Sequence, residues 1–249
     1  MNQQAIDRAT SLARRLLPQE RYEQLRRGYR AATRTQLNDE LMTSRGARFS
    51  GLASSFITAS RIPGYFTYDD ALVFTTILKM QSSFLLRGDL FEIGTYQGRS
   101  AAFLAMCLQP GERLVVNDAF QTETYDTYID RPSPQTLLKN VRSVVPDLDE
   151  DRIRIIEGLS TEITIADDQR FRFAHVDGGH SYETALSDLL LCAEHMVPGG
   201  IIAVDDYENY AWPEVTPAVN EFLKRRTDVS VLMDINRQGA IGRKIYLQI

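Results

Sequence analysis

Tryptophan occurs once in this 249-residue chain, cysteine twice and histidine three times. No apolar run approaches the roughly 18 residues that a membrane-spanning helix needs, so no membrane span is expected. Two cysteines are too few for a disulfide-built scaffold. Cys107 and Cys192 fall at apolar positions of predicted helices, as buried reduced thiols do, which fits a cytoplasmic setting. The N-terminus lacks the apolar core and small-residue cleavage site of a secretory signal. A basic excess is missing as well: the formal charge is −5, which opposes a nucleic-acid partner. What is present, 43% hydrophobic and 24% charged residues, is enough to bury a core.

Charge is spread unevenly. Residues 1–50 carry ten arginines against five acids, leaving the remainder acidic. Within that basic segment, Ile6, Ala9, Leu12, Ala13 and Leu16 form one helical stripe between Gln3 and Leu17, closed by Pro18. A second helix is predicted over Glu20 to Thr33 and a short third near Gln36 to Met42. These helices are too narrow to build a core of their own, so they are expected to pack on the main domain or to associate copies of the chain. Ser44 to Ser60 is small and polar, and reads as a linker or a cover. The expected division is therefore a helical extension over residues 1–60 and a main domain over 61–249.

Thr67 caps a helix with Asp69 and Asp70 in its first turn, where carboxylates favour the helix dipole. Strand then alternates with helix, the pattern of an α/β doubly wound sheet. Strands are predicted at Asp89–Ile93, Arg113–Asn117, Arg152–Glu157, Arg172–Val176, Gly200–Val204, Val229–Met233 and Gly242–Gln248. Helices are predicted at Arg99–Leu108, Gln135–Val144, Thr161–Asp167, Tyr182–Met196 and Val215–Arg226. The last two strands are joined by a short polar stretch with no helix, so they must pair antiparallel. Seven strands ending in such a hairpin form the methyltransferase variant of the Rossmann-like sheet.

Ligands sit at the carboxyl ends of strands in such sheets, and the chemistry-bearing residues gather there. The first strand leads into Glu92-Ile93-Gly94-Thr95-Tyr96-Gln97-Gly98-Arg99-Ser100. Gly94 permits a tight turn and a close ligand, while Gly98 opens a helix whose free N–H groups suit an anion. The spacing is E-x-G-x-x-x-G, and Thr95-Tyr96 would obstruct a dinucleotide pyrophosphate. S-adenosylmethionine has none. Asp118, at the end of the second strand, is placed to accept from ribose hydroxyls; alone, it reads equally well as a loop acid. At the end of the third strand, Leu159 could cover an adenine ring whose edge Ser160 or the backbone reads.

The stretch from Phe171 to Tyr207 carries the acids. One strand stops at Asp177 and another at Asp205-Asp206, and carboxylates with waters suit Mg²⁺. Asp205 and Asp206 can share an ion only if the strand has ended there, because consecutive strand side chains point to opposite faces. His180 stands three residues after Asp177, where a neutral imidazole would serve as a general base. His175, on a strand, and His195, late in a helix, read as structural.

Taken together, Glu92-x-Gly94 with Gly98, Asp118, the block Asp177-Gly-Gly-His180-Ser-Tyr-Glu, Pro198-Gly-Gly, Asp205-Asp206-Tyr207 and Trp212-Pro213 resemble class I S-adenosylmethionine-dependent methyltransferases. More narrowly, they are similar to the macrocin and mycinamicin sugar O-methyltransferases. The resemblance runs from about Ile62 to Phe222, and Gly179 within the Asp-x-x-His turn departs from the family's usual pattern. It implies S-adenosylmethionine held by Glu92, Gly94, Thr95, Tyr96, Gly98, Ser100, Asp118, Leu159, Ser160 and Asp177. It also implies Mg²⁺ on Asp177, Asp205 and Asp206, with His180 as base, and a small hydroxylated acceptor such as a glycosylated metabolite. Three other readings stand beside it: a catechol-like phenolic acceptor, a Rossmann-like oxidoreductase or hydroxylase, and a non-catalytic adenosyl-binding protein.

Overall fold

The computed structural model describes residues 56–122, 131–237 and 242–249, together with Arg21. Apart from Arg21, the three helices expected before residue 43 lie outside these residues. Seven strands form one sheet: β1 (Asp89–Ile93), β2 (Leu114–Asp118), β3 (Ile153–Glu157), β4 (Phe171–Val176), β5 (Met196–Tyr207), β6 (Ser230–Asn236) and β7 (Arg243–Gln248). Their order is β3-β2-β1-β4-β5-β7-β6. The first five pair in parallel, and β7 runs antiparallel to both β5 and β6. The predicted hairpin is present, and it places β7 between β5 and the edge strand.

Helices α1 (Tyr68–Ser83), α2 (Arg99–Met106), α3 (Pro134–Val144), α4 (Tyr182–His195) and α5 (Val215–Arg225) cover the sheet. Strand alternation divides the apolar side chains into two cores. Leu90, Leu114, Val116, Phe173, Ala203 and Tyr246 face α1 and α2. Phe91, Ile93, Val115, Ala174, Val176 and Ile202 face α4 and α5. Thr67 closes α1 with a reciprocal capping box, its hydroxyl accepting from the Asp70 N–H while the Asp70 carboxylate accepts from the Thr67 N–H.

Two expectations need correction. Thr161–Asp167 is not helical but an irregular connection that buries Ile165. The β-branched residues Thr161, Ile163, Thr164 and Ile165 disfavour a helix this short, and insertion of Ile165 into the α4-side core decides its path. The end of the expected linker is also structured: residues 56–59 form a helical turn. Phe56 packs edge-on against Tyr68 at 5.3 Å and tilts against Phe103 at 6.2 Å. These two large apolar contacts outweigh the small, polar character of the surrounding sequence.

At the amino ends of the strands, opposite the acidic edge, Arg172 is fully buried. Its guanidinium donates to both Glu112 oxygens at 2.7 and 2.8 Å, to Gln81 Oε1 at 3.0 Å and to the Cys107 carbonyl at 3.0 Å. Such a pair adds little over an apolar substitute, but removing one partner leaves a bare charge in the core. Arg172→Met should lower unfolding stability by about 3–5 kcal/mol, read as a fall in the urea midpoint. The double variant Arg172→Met/Glu112→Leu should recover most of that loss.

Candidate active site

β1 and β4 lie side by side and end together. The Asp177 N–H donates to the Ile93 carbonyl at 2.9 Å, and the Gly94 N–H donates to the Asn117 carbonyl at 2.9 Å. Gly94 sits at φ +80°, and a Cβ there would lie 1.9 Å from the Asp177 carbonyl oxygen. The glycine is thus demanded by the backbone of the neighbouring strand end, not only by a ligand. The next turn is anchored by Asp118. One of its oxygens accepts from the Tyr96 N–H at 2.6 Å and the other from the Phe120 N–H at 2.8 Å. Burial pushes the Asp118 carboxyl up, and these backbone donors pull it back.

A cavity of about 320 Å³ opens along these ends, at the lower limit for small-molecule sites. Of the residues expected to hold a cofactor, Gly94, Tyr96, Asp118, Leu159, Ser160 and Asp177 line it, and so does His180. Glu92, Thr95, Gly98 and Ser100 stand behind the wall instead. Glu92 is fully buried with Oε1 against His175 Nδ1 at 2.8 Å, and Gly98 packs against Leu137 and Val141 of α3. Tyr65 and Phe120 also line the cavity without having been singled out in the sequence. Tyr65 lies in a turn far from any motif, yet its ring stacks on Tyr96 at 6.2 Å.

The acidic end is built by a distortion of β5. The pairing with β7 shifts between Val204 and Tyr207, and Asp206 adopts φ +59°, a left-handed conformation that non-glycine residues hold only when their surroundings enforce it. Here the Asp206 carboxylate is fixed from two sides. One oxygen accepts from Asn209 Nδ2 at 2.5 Å, and the other lies 3.0 Å from His180 Nε2. The His180 ring lies face to face with Trp212, centroids 4.0 Å apart and planes within 10°.

Asp205 turns the other way. Arg237 grips both of its oxygens, and Lys244 Nζ lies 3.0 Å from Oδ2. Burial alone would raise the Asp205 carboxyl, but Arg237 and Lys244 hold it far below the usual carboxylate range. Lys244 also touches His175 Nε2 at 2.7 Å, and Arg237 reaches Asp70 of α1 at 3.2 Å. Glu92, His175, Lys244, Asp205, Arg237 and Asp70 therefore form one buried charged row on the α1 side of the sheet. Within that row, burial and then Lys244 lower the His175 pKa, which favours its neutral form. His195 lies elsewhere, its Nδ1 3.2 Å from the Gln169 carbonyl.

Asp177 stands between these two arrangements. Ligand-capable atoms of Asp177, His180 and Asp206 lie within 4.8 Å of one another, and so do those of His175, Asp177 and Asp205. Burial first, then the charges of Asp205 and Asp206, push the Asp177 carboxyl well up. Asp205 carries two cations of its own, whereas no basic side chain is bonded to Asp177 among the described residues. Asp177 and Asp206 are thus the pair whose charge a hard divalent cation would balance.

The sign of the Asp177 effect is testable. A carboxyl whose folded pKa exceeds its unfolded value of about 4 destabilises the fold once pH rises through the folded value, and costs nothing below about 4. Asp177→Asn should therefore raise the melting temperature of metal-free protein at about pH 8. That gain should disappear near pH 4, where Asp177 is neutral in both states. Scanning calorimetry in EDTA at the two pH values measures it.

Comparison with known proteins bears on the same segment. Residues 91–207, just under half of the chain, match the family model described as a methyltransferase domain. An uncharacterized protein of Acanthamoeba polyphaga mimivirus is 41% identical over 49 residues, which span 19% of this chain and only 22% of that relative's length. Among solved structures, the O-methyltransferase NovP superposes with a TM-score of 0.59 at 20% identity, over 74% of this chain and 82% of its own. CalS11, a TDP-rhamnose 3'-O-methyltransferase of calicheamicin biosynthesis, superposes at 0.55 with 19% identity, over 88% and 93%. An O-methyltransferase from Bacillus cereus in complex with S-adenosylhomocysteine superposes at 0.57 with 16% identity, over 86% and 97%. The chain has the Rossmann-like fold of class I methyltransferases, and its segment from Phe91 to Tyr207 carries the sequence pattern of a methyltransferase domain.

Proposed function

We propose that this protein transfers the methyl group of S-adenosylmethionine to a hydroxyl of a sugar or polyol in a small natural product, with His180 as general base. One observation carries the reading: a single cavity is lined by the glycine turn, Asp118 and Ser160 and also by Asp177 and His180, and Asp206 lies 3.0 Å from the imidazole. A donor half and a proton-accepting half then share one continuous space. The description of CalS11 as a sugar O-methyltransferase supports the choice of acceptor.

The sulfonium supplies an electrophilic methyl group, so the protein's tasks are alignment and the supply of an oxygen nucleophile. A sugar hydroxyl attacks well only as its proton leaves. His180 takes that proton, and the Asp206 carboxylate 3.0 Å from Nε2 stabilises the imidazolium that forms. Trp212, stacked on the ring, keeps the imidazole plane in place during the transfer. When bound, Mg²⁺ would lower the acceptor's pKa and hold two neighbouring oxygens. Asp177 and Asp206 would hold the ion. Asp205 belongs instead to Arg237 and Lys244, and its part is to keep β5 and β7 in register beneath the site.

Two measurements test the reading. EDTA should abolish methyl transfer to hydroxylated acceptors while leaving S-adenosylhomocysteine binding intact, and Mg²⁺ should restore it. His180→Ala should lower kcat by about 10²–10⁴ with little change in cofactor affinity. Full-rate transfer in EDTA would remove the metal from the mechanism. A weak, pH-flat effect of His180→Ala would move the acceptor to a phenol, whose proton leaves unaided.

A further inference from the structure

Helix α1 sends Ala71, Phe74, Ile77 and Leu78 into the core. A surface helix ordinarily turns polar residues the other way. Here Leu72, Thr76, Met80 and, just past the last turn, Phe84 follow at four-residue spacing on the exposed side. Phe84 is 79% exposed and Leu85 beside it 73%. Apolar residues scattered singly over a surface need no explanation, but a contiguous row of them marks a contact surface.

The end of the helix gives a second, independent sign. The Leu86 N–H donates to the Gln81 carbonyl at 2.9 Å and the Leu85 N–H to the Ser82 carbonyl at 3.1 Å. These are the two bonds of a Schellman cap, which sets one residue in the left-handed region where glycine is usual. That residue is Leu85, at φ +58°. A leucine held under such strain while mostly exposed gives little to the core, and strain of this kind persists where the side chain has a use.

We propose that residues 3–17 of the same chain lie along this face. The chain that precedes Phe56 arrives at the far end of α1 from Phe84, because Phe56 packs on Tyr68 in the first turn. α1 has 16 residues and is about 24 Å long, and a helix from Gln3 to Leu17 would be about 22 Å. The two match in length, and the 38 residues from Pro18 to Ser55 leave ample chain to join them. Along its stripe, the small Ala9 and Ala13 alternate with Ile6, Leu12 and Leu16, a relief into which Met80 and Phe84 fit as ridges. Charge draws the two surfaces together. Residues 1–50 carry five more arginines than acids and no lysine, and the whole chain carries −5, so the remainder carries −10. The body of a second copy would be just as acidic as this one and would be repelled.

The test is limited trypsin digestion of the full-length protein, read as the rate of cutting after Arg8, Arg14 and Arg15. In wild type these bonds should be cut at least about tenfold more slowly than in Leu12→Asp. Phe84→Asp should speed cutting to the same extent, and the double variant should be cut no faster than either alone. Phe84 lies outside both cores, so its replacement leaves the fold intact, which circular dichroism checks. Leu85→Gly relieves the strained cap: on a bare surface it should raise the melting temperature. On a covered one it should hasten cutting with no such gain. Wild-type cutting as fast as that of Leu12→Asp, or Phe84→Asp cut at the wild-type rate, overturns the proposal. Protection that is lost on dilution assigns the face to a second copy and overturns it too.

Discussion

Three carboxylates held close together at a buried sheet edge repel one another, and the rest of this site depends on how that repulsion is met. Arg237 and Lys244 meet half of it by enclosing Asp205. Lys244 comes from β7, the strand that runs antiparallel between β5 and β6, so the reversed hairpin is what delivers an ammonium beneath the carboxyl ends of the parallel strands. With Asp205 balanced from within, the remaining negative charge is concentrated on Asp177 and Asp206. The fold thus carries destabilising charge at this edge, and under the proposed function that is where a cation and an activated hydroxyl would use it, a trade of stability for function found at many active sites.

The glycine-turn side of the cavity is organised by close backbone approach rather than by charge. Gly94 and Asp177 meet where β1 and β4 end, at a distance no side chain would permit. Asp118 ties the turn after β1 to the end of β2 through two N–H groups. These contacts hold three strand ends at fixed spacing and leave a cleft between them. Because Asp177 belongs to both the backbone junction and the acidic cluster, the two halves of the cavity are mechanically one piece.

Much of this was legible in the chain. The strand and helix periods, the antiparallel final pair and the collection of Asp118, Asp177, His180, Asp205 and Asp206 at one edge all follow from local pattern, because each depends on residues near one another in sequence. The capping of α1 by Thr67 is local in the same sense. Readings failed where a distant contact took over. Ile165 is drawn into a core rather than onto a helix, and Phe56 finds Tyr68 and Phe103 in place of solvent. Glu92 meets His175, a partner 83 residues away that no local pattern could name.

The sequence by itself determined the order and type of the elements, and therefore which residues arrive at the carboxyl edge of the sheet. Alternation along each strand even assigned their faces. Tertiary structure alone decided what each arriving carboxylate does. Asp205 and Asp206 are adjacent and chemically identical, but a bulge with φ +59° turns one toward Arg237 and Lys244 and the other toward His180. A side chain's charge is a property of its residue; the partner that balances it is a property of the packing, and the partners here come from the end of β6 and from β7, 32 and 39 positions further along the chain, or from a loop 26 positions before.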